Sequence, residues 1–381
     1  MNFKQFRLIL FILKLFILMI IFGCEPISVS VNSNGDIAFT RNEGTFYINL
    51  KTNKLSVLDW NYGKESIPVI VRWSPKGDMV ALTVKENKDA QSVSIYLVDK
   101  NGNSKKIYSG TKIITQVEWS KDGSYISFAQ AGSDTNMGVA DIGLISVKDG
   151  MSKIILENCG DVHRWLDKDN LVIIKVNEKN PNNSDIFIGQ LILYNSGSQK
   201  VENLSDVMIA KNGGLDCNTS GNQIAFTAIK IQEQAKAFEE NMTAHAYLFS
   251  YNLKNKSMEQ FSDDAIDFVK YSPDNSKILV KVVNKENKNF VDLGYFDAKK
   301  KTLKILINNT ADEVNVNSTG VKIYPEWLDN NNVLYWRLSS NYGSNETLQL
   351  MSLDLKTQKK KNLQVFIDTE VNKLVEAKGG Y

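Results

Sequence analysis

Short apolar runs separated by turn residues fill most of this chain, and many are apolar at successive positions, as in Ile173-Ile174 and Ile192-Leu193, instead of alternating. Strands covered on both faces have that character. One stretch sets the theme: Val71-Arg72-Trp73-Ser74-Pro75-Lys76-Gly77-Asp78-Met79-Val80-Ala81-Leu82 reads as strand, tight turn, strand. It returns at 117–128 and 269–280 and, in weaker form, at 29–39, 163–173, 215–226 and 325–335. The spacing is roughly fifty residues, a period that belongs to repeat architectures.

Each copy opens a set of four strands. In the second repeat they are expected at 68–73, 79–85, 92–99 and 104–109, with Asp99-Lys100-Asn101-Gly102 turning between the last two. Third strands of the other repeats are expected at 45–50, 141–147, 189–194, 246–251, 291–296 and 348–353. Four-stranded meanders that bury both faces against their neighbours predict an all-β fold, a single seven-bladed β-propeller of antiparallel blades over 24–366. Residues 231–242 are good helix formers and predict a short helical insertion in blade five. A C-terminal tail, 367–381, is expected to hold a last helix at 368–377. Lys359-Lys360-Lys361 reads as the solvated edge of the final strand.

The first 23 residues differ from the rest. A polar start with Lys4 and Arg7 leads into an apolar run, 8–22, broken only by Lys14, and Ile21-Phe22-Gly23 then meets Cys24. Basic, apolar and small residues in that order predict a secretory signal; the apolar run is shorter than the roughly 20 residues of a spanning helix. The junction resembles the lipobox of bacterial lipoproteins, which implies Cys24 as a lipid anchor and an extracytoplasmic protein on the outer face of the cytoplasmic membrane. The whole chain has a formal charge of +2, and the leader holds three bases and no acid, which leaves −1 for the remainder. No strongly basic body is left for nucleic acid. Cys159 and Cys217 fall six residues apart in repeat register, about 20 Å along a strand. That is beyond disulfide reach, so both are expected as free, buried thiols.

Trp-Ser-Pro-Lys-Gly-Asp at 73–78, Trp-Ser-Lys-Asp-Gly-Ser at 119–124 and Tyr-Ser-Pro-Asp-Asn-Ser at 271–276 resemble the W-S-P-D-G-K signature of the TolB-type propeller repeat. The resemblance implies the fold over nearly all of the chain after Cys24. It does not carry the family's binding role across, because TolB proteins place an α/β domain before the propeller and here the first repeat begins just after Cys24. In the motif itself, Pro presets the first turn residue and Gly or Asn supplies positive φ, while the aromatic is expected to wedge between blades.

One position before that aromatic, repeats two to seven carry Arg72, Glu118, Arg164, Asp216, Lys270 and Glu326, and repeat one carries Ser30. The sign alternates, and an odd ring needs one neutral member. A girdle of ion pairs between innermost strands, lining or flanking a central channel, is the expectation, worth more in register than in net stability.

Catalytic chemistry is not expected. No Gly-x-Ser-x-Gly elbow occurs, and the two histidines, His163 and His245, are far apart and read as isolated. Neither a metal site nor a cofactor is expected. In an up-and-down blade the loops between strands two and three share one rim with the links between blades, and here they vary widely, at 85–91, 131–140, 177–185, 229–244, 284–289 and 339–346. Variable loops on a rigid scaffold carry function. A binding rim with Met137, Asn182, Phe238 and Tyr342 is therefore expected, on a monomeric, membrane-tethered scaffold for a protein or envelope polymer. A small-ligand or glycan sensor using the channel mouth and an unrecognised enzyme are the alternatives.

Overall fold

The computed structural model describes residues 28–41, 44–52, 54–59, 66–86, 92–132, 139–180, 183–209, 214–229, 246–284, 291–310, 325–340 and 346–377. Among these residues the regular structure is antiparallel sheet apart from one helix. The first sheet runs β1 (Val29–Val31), β2 (Ile37–Arg41), β3 (Gly44–Asn49), β4 (Lys54–Asp59), and the second β5 (Ile67–Trp73), β6 (Met79–Lys85), β7 (Val93–Asp99), β8 (Ser104–Gly110). A third, of seven strands, holds β9 (Ile114–Trp119), β10 (Tyr125–Ala131), β11 (Ala140–Ser146), β12 (Ser152–Trp165), β13 (Asn170–Asn180), β14 (Asn183–Asn195) and β15 (Val201–Ile209). The fourth, also of seven, holds β16 (Leu215–Cys217), β17 (Gln223–Ala228), β18 (Tyr247–Asn252), β19 (Ser257–Tyr271), β20 (Lys277–Val283), β21 (Val291–Asp297) and β22 (Leu303–Thr310). The last is β23 (Glu326–Trp327), β24 (Asn332–Ser340), β25 (Glu346–Asp354) and β26 (Lys360–Asn362). Every strand pairs with its neighbours in sequence, so each sheet is a meander.

The two seven-stranded sheets depart from the expectation of separate four-stranded units. β12 and β19 serve as the outer strand of one meander and the leading strand of the next. The strands run on through 158–161 and 261–265, whereas at 111–113, equally free of proline, the ladder breaks. Within β12 the chain bends: Asn158 takes φ 55° and the β12–β13 register shifts between Cys159 and His163. A second difference lies at 177–185, expected as a loop, where β13 and β14 continue until Asn180 pairs with Asn183.

The repeated motif folds as its residues require. Ser74 is buried; its carbonyl accepts from Gly77 N at 2.9 Å and its hydroxyl donates to Asp78 Oδ1 at 2.6 Å. Gly77 sits at φ 66°, in the left-handed region that side chains avoid, and Asn275 takes φ 61° at the matching place. Ser120 and Ser272, both fully buried, repeat the arrangement, their hydroxyls accepting from Tyr125 N and Lys277 N.

Hydrophobic clusters lie between consecutive meanders. Ala38 and Leu58 pack with Val71, Trp73 and Leu82; Ile95 and Ala81 with Val117, Trp119 and Phe128. The last meander packs on the first: Ile37, Phe39 and Phe46 share a cluster with Leu334, Trp336 and Leu350. Into the same cluster goes the helix α1 (Gln364–Ala377), through Leu363 just before it and Ile367 and Val371 at four-residue spacing. Asn362 Oδ1 caps it by accepting Gln364 N at 2.9 Å, and Arg41 Nη1 reaches Asp368 Oδ1 at 2.7 Å. The boundary expected at 366/367 therefore falls inside an element docked on the sheets.

Candidate functional site

Turns of adjoining meanders touch at one end of the sheets. Asn275 Nδ2 donates to Thr219 Oγ1 at 2.7 Å, and Asp274 N to Asn330 Oδ1 at 2.9 Å. The leading strands stand side by side in the order β1, β5, β9, β12, β16, β19, with β1 also against β23. This arrangement brings the alternating charges together. Glu118 Oε1 lies 3.0 Å from Arg164 Nη1 and 3.8 Å from Arg72 Nε. Arg164 Nε in turn lies 3.5 Å from Asp216 Oδ1, and Lys270 Nζ is 2.5 Å from Glu326 Oε2. Among the described residues no ion pair joins Asp216 to Lys270 or Glu326 to Arg72, so the girdle is two chains of pairs with two gaps.

Other bonds fill in around the gaps. The second oxygen of Asp216 accepts Tyr271 N at 2.7 Å, tying its strand to the next. Ser30, the neutral member, does the same with its hydroxyl for Trp73 N at 3.0 Å, and Ser28 Oγ accepts Val71 N at 3.0 Å. Behind the basic members the bond runs the other way: Trp119 Nε1 donates to Arg72 O and Trp327 Nε1 to Lys270 O, each at 3.0 Å. Trp165 reaches its neighbour through a relay, donating to Ser127 Oγ at 2.9 Å, which donates to Glu118 O at 3.3 Å. The aromatics at the Trp73 position are buried, as wedges between sheets must be, and Cys217 fills that place in the fifth repeat.

The electrostatics follow from this crowding. Burial pushes the Glu118 carboxyl upward, but Arg164, Arg72 and Lys270 outweigh it and hold the group at about 2. At Asp216 burial wins over Arg164 and Lys270, and its carboxyl sits above the usual range. Beside Glu118 lies a group that spacing did not single out for this place. His163 is fully buried, and burial lowers its pKa to about 4 against the pull of Glu118. Its own carbonyl accepts from Gln116 Nε2 at 3.1 Å, and Gln116 donates to Glu118 Oε1 at 3.0 Å. The imidazole is a neutral core side chain. Its signal in the sequence was only its place two residues before a wedge tryptophan.

Cys159 and Cys217 are free and buried, and burial pushes both thiols up, Cys159 to about 12. Neither is a nucleophile at neutral pH. Among the described residues no group of three metal-ligating side chains converges. Cys24, the four rim residues Met137, Asn182, Phe238 and Tyr342, and the segment 231–242 lie outside the described residues.

No protein-family model matches the sequence, and no curated protein matches it either. Solved structures do match its shape. The β-propeller domain of the Trilobed protease from Pyrococcus furiosus aligns with TM-score 0.58 and 14% identity, over 89% of this chain and 97% of that one. Oligogalacturonate lyase from Vibrio parahaemolyticus aligns with TM-score 0.60 and 12% identity, over 87% and 92%. TolB from Acinetobacter baumannii aligns with TM-score 0.50 and 12% identity, over 88% and 78%. The fold is that of a TolB-like β-propeller. Identities this low establish the fold alone, and the neighbours include both enzymes and TolB, so the activity has to be argued from the site.

Proposed function

We propose that this chain is a membrane-tethered extracytoplasmic lipoprotein in which seven four-stranded blades close into a ring, and that the ring is a non-catalytic scaffold for a protein or cell-envelope polymer. Closure draws support from the packing of the last meander on the first, with α1 laid across both. The observation that carries the scaffold reading is the girdle. The charges on the leading strands are directed at one another, Glu118 to two arginines and Lys270 to Glu326, and so brace the blades instead of facing a substrate. Tethering rests on the order Lys4, Arg7, apolar run, Gly23, Cys24. The test is a Cys24→Ala substitution followed by membrane fractionation, with a pull-down comparing the intact chain and a deletion of 231–242. Tethering predicts that the variant leaves the membrane fraction, and the rim reading predicts that the deletion loses partners. An unchanged distribution would refute the first, and an unchanged set of captured partners the second.

A further inference from the structure

Acids and bases nearly balance over the chain, at 43 and 45, yet they are not spread evenly over the folded body. The turns that lead into the outermost strand of each meander hold one lysine after β3, β7, β11 and β14, two after β18, three after β21 and two after β25. Within these outer turns stands one carboxylate, Asp149; Asp99, Asp297 and Asp354 border them, and Asp36, Asp78, Asp122, Asp167, Asp169, Asp274 and Asp329 lie in the one-to-two turns, nearer the leading strands. Asp99, Asp297 and Asp354, which end the preceding strands, are turned toward the backbone of the turns and keep their charge: Asp297 Oδ1 accepts Lys299 N and Lys300 N, at 3.0 and 2.8 Å, and Asp354 Oδ1 accepts Lys356 N and Thr357 N, at 2.8 and 2.9 Å, so the outer turns hold eleven lysines against four carboxylates. All these turns lie at the same end of their sheets as the β1–β2 type of turn, because strands two and four of a meander run the same way.

Three of the lysines stitch neighbours together: Lys100 to Asp36 and Lys256 to Glu202, each at 3.0 Å, and Lys301 to Glu259. The others do not. Lys254, Lys299, Lys300, Lys356 and Lys359 are exposed, sit on successive meanders and have no ion pair among the described residues. A peripheral collar of free ammonium groups on flexible stems is a surface for many closely spaced anions, bound as point charges without fixed geometry.

We propose that this face docks a linear polyanion with closely repeated phosphate groups. The choice of a polymer over a lipid surface rests on the tethered reading. β1 enters from the opposite end of the sheets, and Cys24 is four residues before Ser28, a reach of about 14 Å. A bilayer held by Cys24 therefore lies against the far face, and the collar looks away from it.

The probe is inorganic polyphosphate, titrated into the purified full-length chain at several salt concentrations. Binding weakens steeply with salt, since each contact releases counterions. Changing Lys254, Lys300, Lys356 and Lys359 to Gln weakens binding about tenfold or more and flattens the salt slope. The same number of changes elsewhere, at Lys85, Lys112, Lys175 and Lys373, costs less than about twofold. Equal losses in the two variants, or no binding by the unaltered chain, would overturn the proposal. So would tighter binding to vesicles rich in phosphatidylglycerol that the collar variant alone loses, which would assign the face to a lipid surface. Fractionation of the Cys24→Ala chain is read separately, so a failed tether and a failed collar are distinguishable.

Discussion

Glu118→Gln is the most direct probe of how the leading strands are held. The carboxylate sits between Arg164 and Arg72, with the ammonium of Lys270 adding to the field, and its pKa falls from 4.5 to about 2. At about 1.4 kcal/mol per unit, that displacement corresponds to about 3 kcal/mol of stability carried by the ionised form. Because Glu118, Arg72 and Arg164 are each only partly buried, this is an upper figure, at the lower edge of the about 3–5 kcal/mol lost when one partner of a fully buried pair is removed. The sign is set by the lowered pKa: the contribution is complete above the unfolded value near 4.5 and fades as pH falls through the folded value near 2. Urea unfolding followed by tryptophan fluorescence should show the variant up to about 3 kcal/mol less stable at pH 7. The gap between the two proteins should narrow steadily below pH 4.5, because the unfolded wild-type chain then binds a proton at this carboxyl while the folded one still does not. Acid-sensitive groups remote from Glu118 are common to both proteins and cancel in the difference, while His163, which feels the Glu118 charge, is removed from the comparison by making both proteins in a His163→Leu background. A gap below about 0.5 kcal/mol at pH 7, or one that stays constant down to pH 3, would show that the girdle residues are solvated neighbours and not a brace.

Two further outcomes follow from single residues. His163 has its pKa lowered from 6.5 to about 4 by burial, so the neutral ring is favoured above pH 6.5 and about 3 kcal/mol is lost as pH falls toward 4. Thermal melts of His163→Leu should show a flatter stability profile across that window, and an unchanged profile would mean that the ring is open to water. Gln199 holds φ 57° in an exposed turn, a conformation that costs a side chain about 1 kcal/mol. Gln199→Gly should raise the melting temperature slightly, by about 0.5 kcal/mol in stability, and a loss of stability would count against strain at that turn.

What was legible in the sequence was what is local. The Trp-Ser-Pro-Lys-Gly-Asp type of turn declares itself because Ser74, Gly77 and Asp78 satisfy one another within five residues, and three good copies are enough to phase the weaker ones. The alternating column was also legible, since a repeat register aligns positions that the fold later places side by side. The continuous strands β12 and β19 were not. Whether a ladder breaks at a link depends on how neighbouring meanders meet, and although Asn158 is a residue type that accepts φ 55°, nothing local says that the strand continues past it. Equally hidden were the indole bonds from Trp119 to Arg72 O and from Trp327 to Lys270 O, whose partners are 47 and 57 positions apart and are backbone atoms without a sequence signature.

The weakest joint of the proposed ring can be located from the same charges. An alternating column with an odd number of blades cannot pair at every junction, and the neutral Ser30 leaves both junctions of the first blade, with the second and with the last, without an ion pair in this column; the seam is the one with the last blade. No strand is exchanged there: β1 to β4 come from the start of the chain and β23 to β26 from its end, each set complete in itself. Among the described residues packing and α1 bridge the seam, with Ile367 and Val371 in the shared cluster and Arg41 bound to Asp368, whereas Lys100 bound to Asp36 and the Ser30 hydroxyl accepting Trp73 N fasten the first blade to the second. Two of the three fastenings available elsewhere, the ion pair and the continuous strand, are therefore missing, and the helix supplies the third. Hydrogen exchange should then find the amides of β2 and β24 opening before those of β13 and β20, which lie in the seven-stranded sheets. Truncation after Asn362 should accelerate exchange in β2 and β24 at least about tenfold, equivalent to about 1.4 kcal/mol, and leave β13 and β20 unchanged. Uniform acceleration in all four strands would mean that the helix supports the whole body and that the seam is no weaker than any other junction.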